Sequence, residues 1–149
     1  MARDSAACCI FNGKFIYVFS GRIKFNPKEI TDVCELYDIE KNVWEVLSLS
    51  KRTNWIPCDL AMCYQVSQSA ILIFGGFDRQ NRTNATFMYD TNKKSIEKAA
   101  ELPTVGSFST MVFHIDDHLY TVGWNNSKKN LYKYRISDEK WTLDEEFTI

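Results

Sequence analysis

The sequence predicts an all-β chain built from three repeated four-stranded antiparallel units. Three observations predict it. First, one pattern recurs in phase: an apolar run ending in glycine, a polar loop, then a tyrosine seven positions before an indole or aliphatic residue. The copies are Ile16-Tyr17-Val18-Phe19-Ser20-Gly21 … Tyr37-Asp38 … Trp44, Ile71-Leu72-Ile73-Phe74-Gly75-Gly76 … Tyr89-Asp90 … Ile96, and Leu119-Tyr120-Thr121-Val122-Gly123-Trp124 … Tyr134-Arg135 … Trp141. The tyrosines lie 52 and 45 residues apart, yet the interval from Tyr to Trp or Ile stays at seven. A fixed interval inside a variable period marks supersecondary units joined by loops of different length. Second, no stretch sustains apolar residues at a 3.6-residue period, so no long helix is expected. Third, the prolines and glycines fall between strand candidates or at their ends, where a missing N–H or a positive φ costs little.

The units are read as 2–50, 51–101 and 102–149. In the first, strands are expected at Ser5–Phe11, Lys14–Ser20, Asp32–Asp38 and Val43–Leu47. Asn12-Gly13 joins the first two, a dipeptide suited to the positive-φ pair of a type I′ hairpin. The second unit reads Leu60–Val66, Ala70–Gly75, Ala85–Asp90 and Ser95–Lys98, with Ser67-Gln68-Ser69 as its first turn. The third reads Ser107–His114, His118–Gly123, Leu131–Ile136 and Lys140–Leu143. Pro27, Pro57 and Pro103 punctuate these runs, and Gly106 sits in a connecting loop. A four-stranded meander repeated with loop variation is the sequence form of a propeller blade. The first strand of each unit is the smaller-chained one (Ala6-Ala7-Cys8-Cys9, Leu60-Ala61-Met62-Cys63, Ser109-Thr110-Met111-Val112), as a strand crowded near a central axis requires.

Composition narrows the function classes. A chain of 149 residues with 45% hydrophobic and 14% aromatic residues has enough apolar material for one sizeable core. A net charge of -1 gives no global attraction to nucleic acid, and no apolar run reaches the roughly 20 residues of a membrane span. The N-terminal residues lack the long apolar core of a secretory signal. Five cysteines without a CxxC pair read as reduced thiols, which places the chain in the cytoplasm.

These residues resemble the kelch repeat, whose pattern is an apolar run, a Gly-Gly doublet, a Tyr before a short turn, and a Trp six or seven residues later. Gly75-Gly76 is a full doublet, whereas Ser20-Gly21 and Gly123-Trp124 are degraded copies, and Ile96 stands where the family has Trp. The resemblance implies a partial kelch-type β-propeller of three blades. Kelch propellers usually close with about five to seven blades, within the roughly 4–8 of propellers at large. Three blades leave a ring to be completed, by further blades or by self-association. The resemblance also implies a non-catalytic protein-interaction scaffold or adaptor without a cofactor.

In a four-stranded meander, the second-to-third loops and the inter-blade links emerge on one face. The second-to-third loops are read as 22–31, 77–84 and 124–129. They carry seven cations, Arg22, Lys24, Lys28, Arg79, Arg82, Lys128 and Lys129, against Glu29 and Asp78. The links 48–57 and 99–106 add Lys51 and Arg52 against Glu101, whereas the opposite face balances near zero. Trp55, Phe25, Phe77 and Trp124 sit in or beside these loops as candidate aromatic anchors. The candidate partner-binding set is therefore Arg22, Lys24, Phe25, Arg52, Trp55, Arg79, Arg82, Trp124, Lys128 and Lys129. Such a face attracts an acidic or phosphorylated protein partner rather than nucleic acid or a membrane. His114-Ile115-Asp116-Asp117-His118 reads as the polar tip of a hairpin rather than a metal site, because no third ligand cluster accompanies it. Tyr37, Tyr89 and Tyr134 with Trp44 and Trp141 read as blade core. The acceptor patterns at Asn81, Asn84 and Asn125 read as idle loop composition. The alternatives are a kelch-fold enzyme similar to the copper oxidases, which needs converging Tyr, His and Cys ligands, and a cytoskeletal structural protein.

Overall fold

The computed structural model describes residues 1–26, 28–49, 51–52, 54–105, 107–125 and 128–144; Pro27 and Gly106 lie outside them. Among the described residues there is no helix. The strands begin with β1 (Ala7–Phe11), β2 (Phe15–Phe19), β3 (Arg22–Lys24), β4 (Glu29–Ile30), β5 (Cys34–Asp38) and β6 (Val43–Val46). They continue with β7 (Lys51–Arg52), β8 (Met62–Gln65), β9 (Ala70–Phe74), β10 (Thr86–Asp90) and β11 (Ser95–Lys98). The last are β12 (Ser107–Ile115), β13 (His118–Asn125), β14 (Lys128–Arg135) and β15 (Lys140–Asp144). The sheets are β1-β2-β5-β6, then β8-β9-β10-β11 with β7 on its outer edge, then β12-β13-β14-β15, with β3-β4 as a separate ribbon. Each four-stranded meander is antiparallel, and the innermost strands β1, β8 and β12 stand side by side. The chain is three blades of a propeller that does not close.

The seven-residue interval is a register. Tyr37 faces Trp44, Tyr89 faces Ile96 and Tyr134 faces Trp141 across the third and fourth strands of each blade. The turn between those strands ends each time on a residue with positive φ: Asn42 (56°), Lys94 (53°) and Glu139 (53°). In two blades the aspartate before the turn closes it. Asp38 Oδ1 accepts the Lys41 N–H at 3.0 Å, and Asp90 Oδ1 accepts those of Asn92 and Lys93 at 2.9 Å. Blade 3 has Arg135 at that position, and Asp117 from the adjacent turn accepts the Ser137 N–H at 3.0 Å instead.

Each blade has a front, toward the preceding blade, and a back, toward the following one. The back of blade 1 (Ala7, Tyr17, Phe19, Cys34) packs on the front of blade 2 (Cys63, Ile71, Ile73, Tyr89, Ile96). The back of blade 2 (Met62, Leu72, Phe74) packs on the front of blade 3 (Leu119, Tyr132, Tyr134, Trp141). Strand β9 is thus buried on both sides, which is why its sequence is an unbroken apolar run rather than an alternation. Rings cross both junctions: Phe19 meets Tyr89 at 5.4 Å and Phe74 meets Trp141 at 4.9 Å. Fully burying one such side chain contributes about 1.5–3 kcal/mol.

The glycine doublet is explained by what crosses it. Gly21 and Gly76 hold φ of 107° and 97°. A Cβ on Gly76 would lie 2.6 Å from the Asp59 carbonyl and 2.8 Å from the Ala61 nitrogen, and one on Gly21 would lie 2.9 Å from the Asp4 carbonyl. The chain entering the innermost strand runs directly over the second glycine. The first position needs only positive φ, which Ser20 adopts at 55°.

Four local readings are corrected. Asn12 and Gly13 do take positive φ, with Lys14 N–H bonded to the Phe11 carbonyl, but the first ladder pair is Phe11–Phe15, so the loop has three residues. Segment 22–31 contains the β3-β4 ribbon, with Arg22 opposite Ile30. Link 48–57 contains β7, parallel to β11. Segment 124–129 is largely strand: with no second glycine and no crossing chain, β13 and β14 extend to pair Asn125 with Lys128.

Candidate functional site: the loop face

Two loops of the candidate face are built alike. Asp4 exchanges backbone hydrogen bonds with Arg22 (2.9 and 2.8 Å), and Asp59 exchanges the same pair with Phe77 (3.0 and 2.8 Å). Both aspartates stand just before an innermost strand, opposite the residue that follows the doublet. The Asp59 carboxylate is buried and draws the blade 1 loop onto blade 2: Lys28 Nζ lies 2.9 Å from its Oδ1 and Arg22 Nη1 3.7 Å from Oδ2. Arg22 also reaches Asp4 Oδ1 with Nη2 at 2.9 Å. A buried carboxylate persists only with such compensation. Lys28 adds a hydrogen bond to the Asp78 carbonyl at 2.9 Å.

Aromatic faces carry the same cations. Arg22 lies over Phe25 at 4.6 Å, while Lys28 and Arg82 lie over Phe77 at 5.0 and 5.4 Å. Asp78 shapes the blade 2 loop by accepting the N–H groups of Gln80 and Asn81 at 2.7 and 2.6 Å. Those backbone bonds hold its carboxyl below the usual range against the opposing effect of burial, and the nearby Lys28 charge helps.

Between the blade 1 ribbon and the link to blade 2 lies a cavity of about 570 Å³, lined by Ile23, Ile30, Trp55, Pro57, Glu29 and Arg79 among others. A recess of about 340 Å³ adjoins it at Pro57 and Arg79 and is bordered by Asp78 and Gln80. The two form one groove with an apolar floor and Arg79 on its rim.

The ten sequence-derived residues are not equivalent in this setting. Arg22 and Phe25 stack together, and Arg22 is tied into the Asp4–Asp59 pairing. Lys24, Arg79 and Arg82 are exposed, and none of them makes an ion pair among the described residues. Trp55 is half-buried, edge-on to Phe87 at 4.9 Å, with its Nε1–H buried and unpaired, so it anchors the blade junction while lining the groove. Arg52 pairs through its backbone with Ile96, near the turn of the opposite face, which sets it apart from the others. Lys129 is exposed and pairs through its backbone with Trp124 on the extended β13-β14 hairpin. The side chains of Arg52, Trp124 and Lys128 lie outside the described residues. The sequence reading omitted Asp4 and Asp59. The signal was present in the matching frames Asp4-Ser5-Ala6-Ala7 and Asp59-Leu60-Ala61-Met62, each opening an innermost strand.

A family model described as the KLHDC2/KLHL20/DRC7 Kelch-repeats domain matches residues 1–145. The chain belongs to the kelch-repeat family. It is similar to a Kelch domain-containing protein of Vibrio cholerae serotype O1, with 29% identity over 150 residues. The match covers 96% of the chain and 37% of that relative, so this kelch chain spans well under half of the relative's length. Kelch repeats serve in general as protein-interaction scaffolds, and family members are generally non-catalytic.

The groups that could suggest chemistry are engaged elsewhere in this kelch array. His114 Nε2 lies 2.8 Å from the Asp116 carbonyl, and His118 Nε2 accepts from Arg135 Nε at 3.2 Å. Among the described residues no three His, Cys, Asp or Glu are placed to hold a metal ion. The five cysteines are free thiols. Burial, aided by Asp78 and Asp59, pushes Cys58 up to about 12, and burial likewise raises Cys63. Both are therefore thiols rather than thiolates at neutral pH.

Proposed function

We infer that this kelch array is a non-catalytic scaffold that binds a protein partner through its loop face, and that the partner presents acidic or phosphorylated groups. The observation that carries the reading is the groove whose rim bears Arg79. Arg82 and Lys24, which are likewise without an ion pair among the described residues, stand on the same loops. Arg22 and Lys28 are held by Asp59 and shape the face, so recognition falls to the exposed cations, with Phe25 as an exposed ring beside them. An exposed guanidinium is suited to bidentate contact with carboxylate or phosphate. The net charge of -1 favours a protein over nucleic acid, and no helix among the described residues is long and apolar enough to cross a membrane. The free cysteines support a reducing, cytoplasmic setting.

The test is the affinity of an isolated partner for the wild-type chain and for the double variant Arg79→Glu/Arg82→Glu. Loss of roughly 10- to 100-fold, with a weaker salt dependence in the variant, is expected. Unchanged affinity would refute the loop-face reading.

A further inference from the structure

We propose that two copies of this chain close into one ring by docking the front of blade 1 on the back of blade 3 of the second copy. The inference concerns surfaces away from the loop face, so its failure would leave the partner-binding reading standing.

The argument starts from the unequal fate of one repeated feature. The front of blade 2 presents Tyr89 and Ile96, and the front of blade 3 presents Tyr134 and Trp141; all four are buried against the preceding blade. Blade 1 presents the same pair in the same register, Tyr37 and Trp44, with rings 5.0 Å apart. Here nothing within the chain covers it, and Trp44 is 60% exposed. Around it the same front exposes Ile10 (62%) and Val46 (63%). Contiguous exposed apolar area of this kind marks an interaction surface.

The chain's repetition also specifies what covers such a front. At both internal junctions it is the back of a blade, built from the alternate residues of the first and second strands. In blade 2 these are Met62, Tyr64, Leu72 and Phe74, and three of the four enter or pack on the buried cluster through side chains of matching register. The matching back positions in blade 3 include Phe113, Tyr120 and Val122, and Phe113 is 50% exposed with Ile115 beside it at 57%. The chain therefore carries one unoccupied front and one unoccupied back, each made to the pattern of surfaces that bind one another elsewhere in the same molecule. The charges agree. Lys133, over the Tyr120 ring at 5.7 Å, lies on the back of blade 3, whereas Glu35 is the acid on the front of blade 1. A front-to-back contact is heterologous, and it terminates only if rotation closes the ring. Three blades and three blades make six, inside the roughly 4–8 that propellers close with. Two identical junctions then form at once, the second without further loss of translational freedom.

The test is the solution mass of the purified 149-residue chain by sedimentation velocity up to about 100 µM, where even weak specific association is visible. The expected result is a single species of twice 17.3 kDa. Trp44→Arg and Phe113→Arg should each weaken association at least about tenfold while leaving the circular dichroism and melting temperature of the monomer unchanged. If either variant unfolds, Val46→Arg and Ile115→Arg replace it, both sites being more than half exposed. A wild-type monomer throughout, an open ladder of trimers and larger species, or a dimer indifferent to these substitutions would each overturn the proposal.

Discussion

At the residue scale, the two glycines of the doublet have different jobs, and their substitutions should differ accordingly. Gly76→Ala places a Cβ against backbone atoms at 2.6 and 2.8 Å in a conformation closed to L-residues. It should cost at least about 2 kcal/mol, read as a fall in the denaturant midpoint. Gly75→Ser reproduces what Ser20 already does at the sister position, and should cost under about 1 kcal/mol. Acid sensitivity is also a residue property here. Backbone N–H groups hold the carboxyls of Asp38, Asp78 and Asp90 below the usual range. A carboxyl with a depressed folded pKa stabilises the fold above its unfolded pKa of about 3.9, and that contribution disappears as pH falls through the lower folded value. Nuclear magnetic resonance titration should place all three midpoints below 3.9, and Asp90→Asn should flatten the loss of stability below about pH 4. Midpoints at or above that value would contradict the turn geometry.

At the element scale, the blade junction carries the stability. Trp141 is buried against Phe74 and Tyr134, so Trp141→Ala should cost about 3–5 kcal/mol and lower the melting temperature markedly. Tyr134→Phe removes a hydroxyl that is buried without a hydrogen-bond partner among the described residues, so it should be neutral or slightly stabilising. A large loss from the phenylalanine variant would show that the hydroxyl has a partner. All twelve meander strands were legible in the sequence, because each is an apolar or alternating run bounded by turn residues. The seven-residue interval was legible as core geometry for the same reason: Tyr89 and Ile96 face each other across one ladder. The ribbon β3-β4 and the short strand β7 were not legible, since two or three polar residues carry no periodicity. Nor was the extension of β13 and β14, where the missing second glycine was read only as a weakened motif.

At the scale of the whole molecule, charge and openness are the two features that matter. Meander topology alone brought the basic loops to one end, and that much followed from the sequence. How the cations divide was hidden, because Asp59 meets Arg22 and Lys28 across 37 and 31 residues of sequence and across a blade boundary. The result is a face with a fixed portion around Asp59 and an exposed portion at Lys24, Arg79 and Arg82. Arg52, read from the sequence as a link residue of that face, is instead registered with Ile96 on the outer edge of blade 2. The loop-face reading is tested most directly by lysine cross-linking of the chain to its partner, with the linked sites mapped by mass spectrometry. Lys24 and Lys129 on the loop side should carry the cross-links, and Lys14, Lys41 and Lys140 at the opposite turns should not. Cross-links confined to Lys14, Lys41 and Lys140 would contradict it.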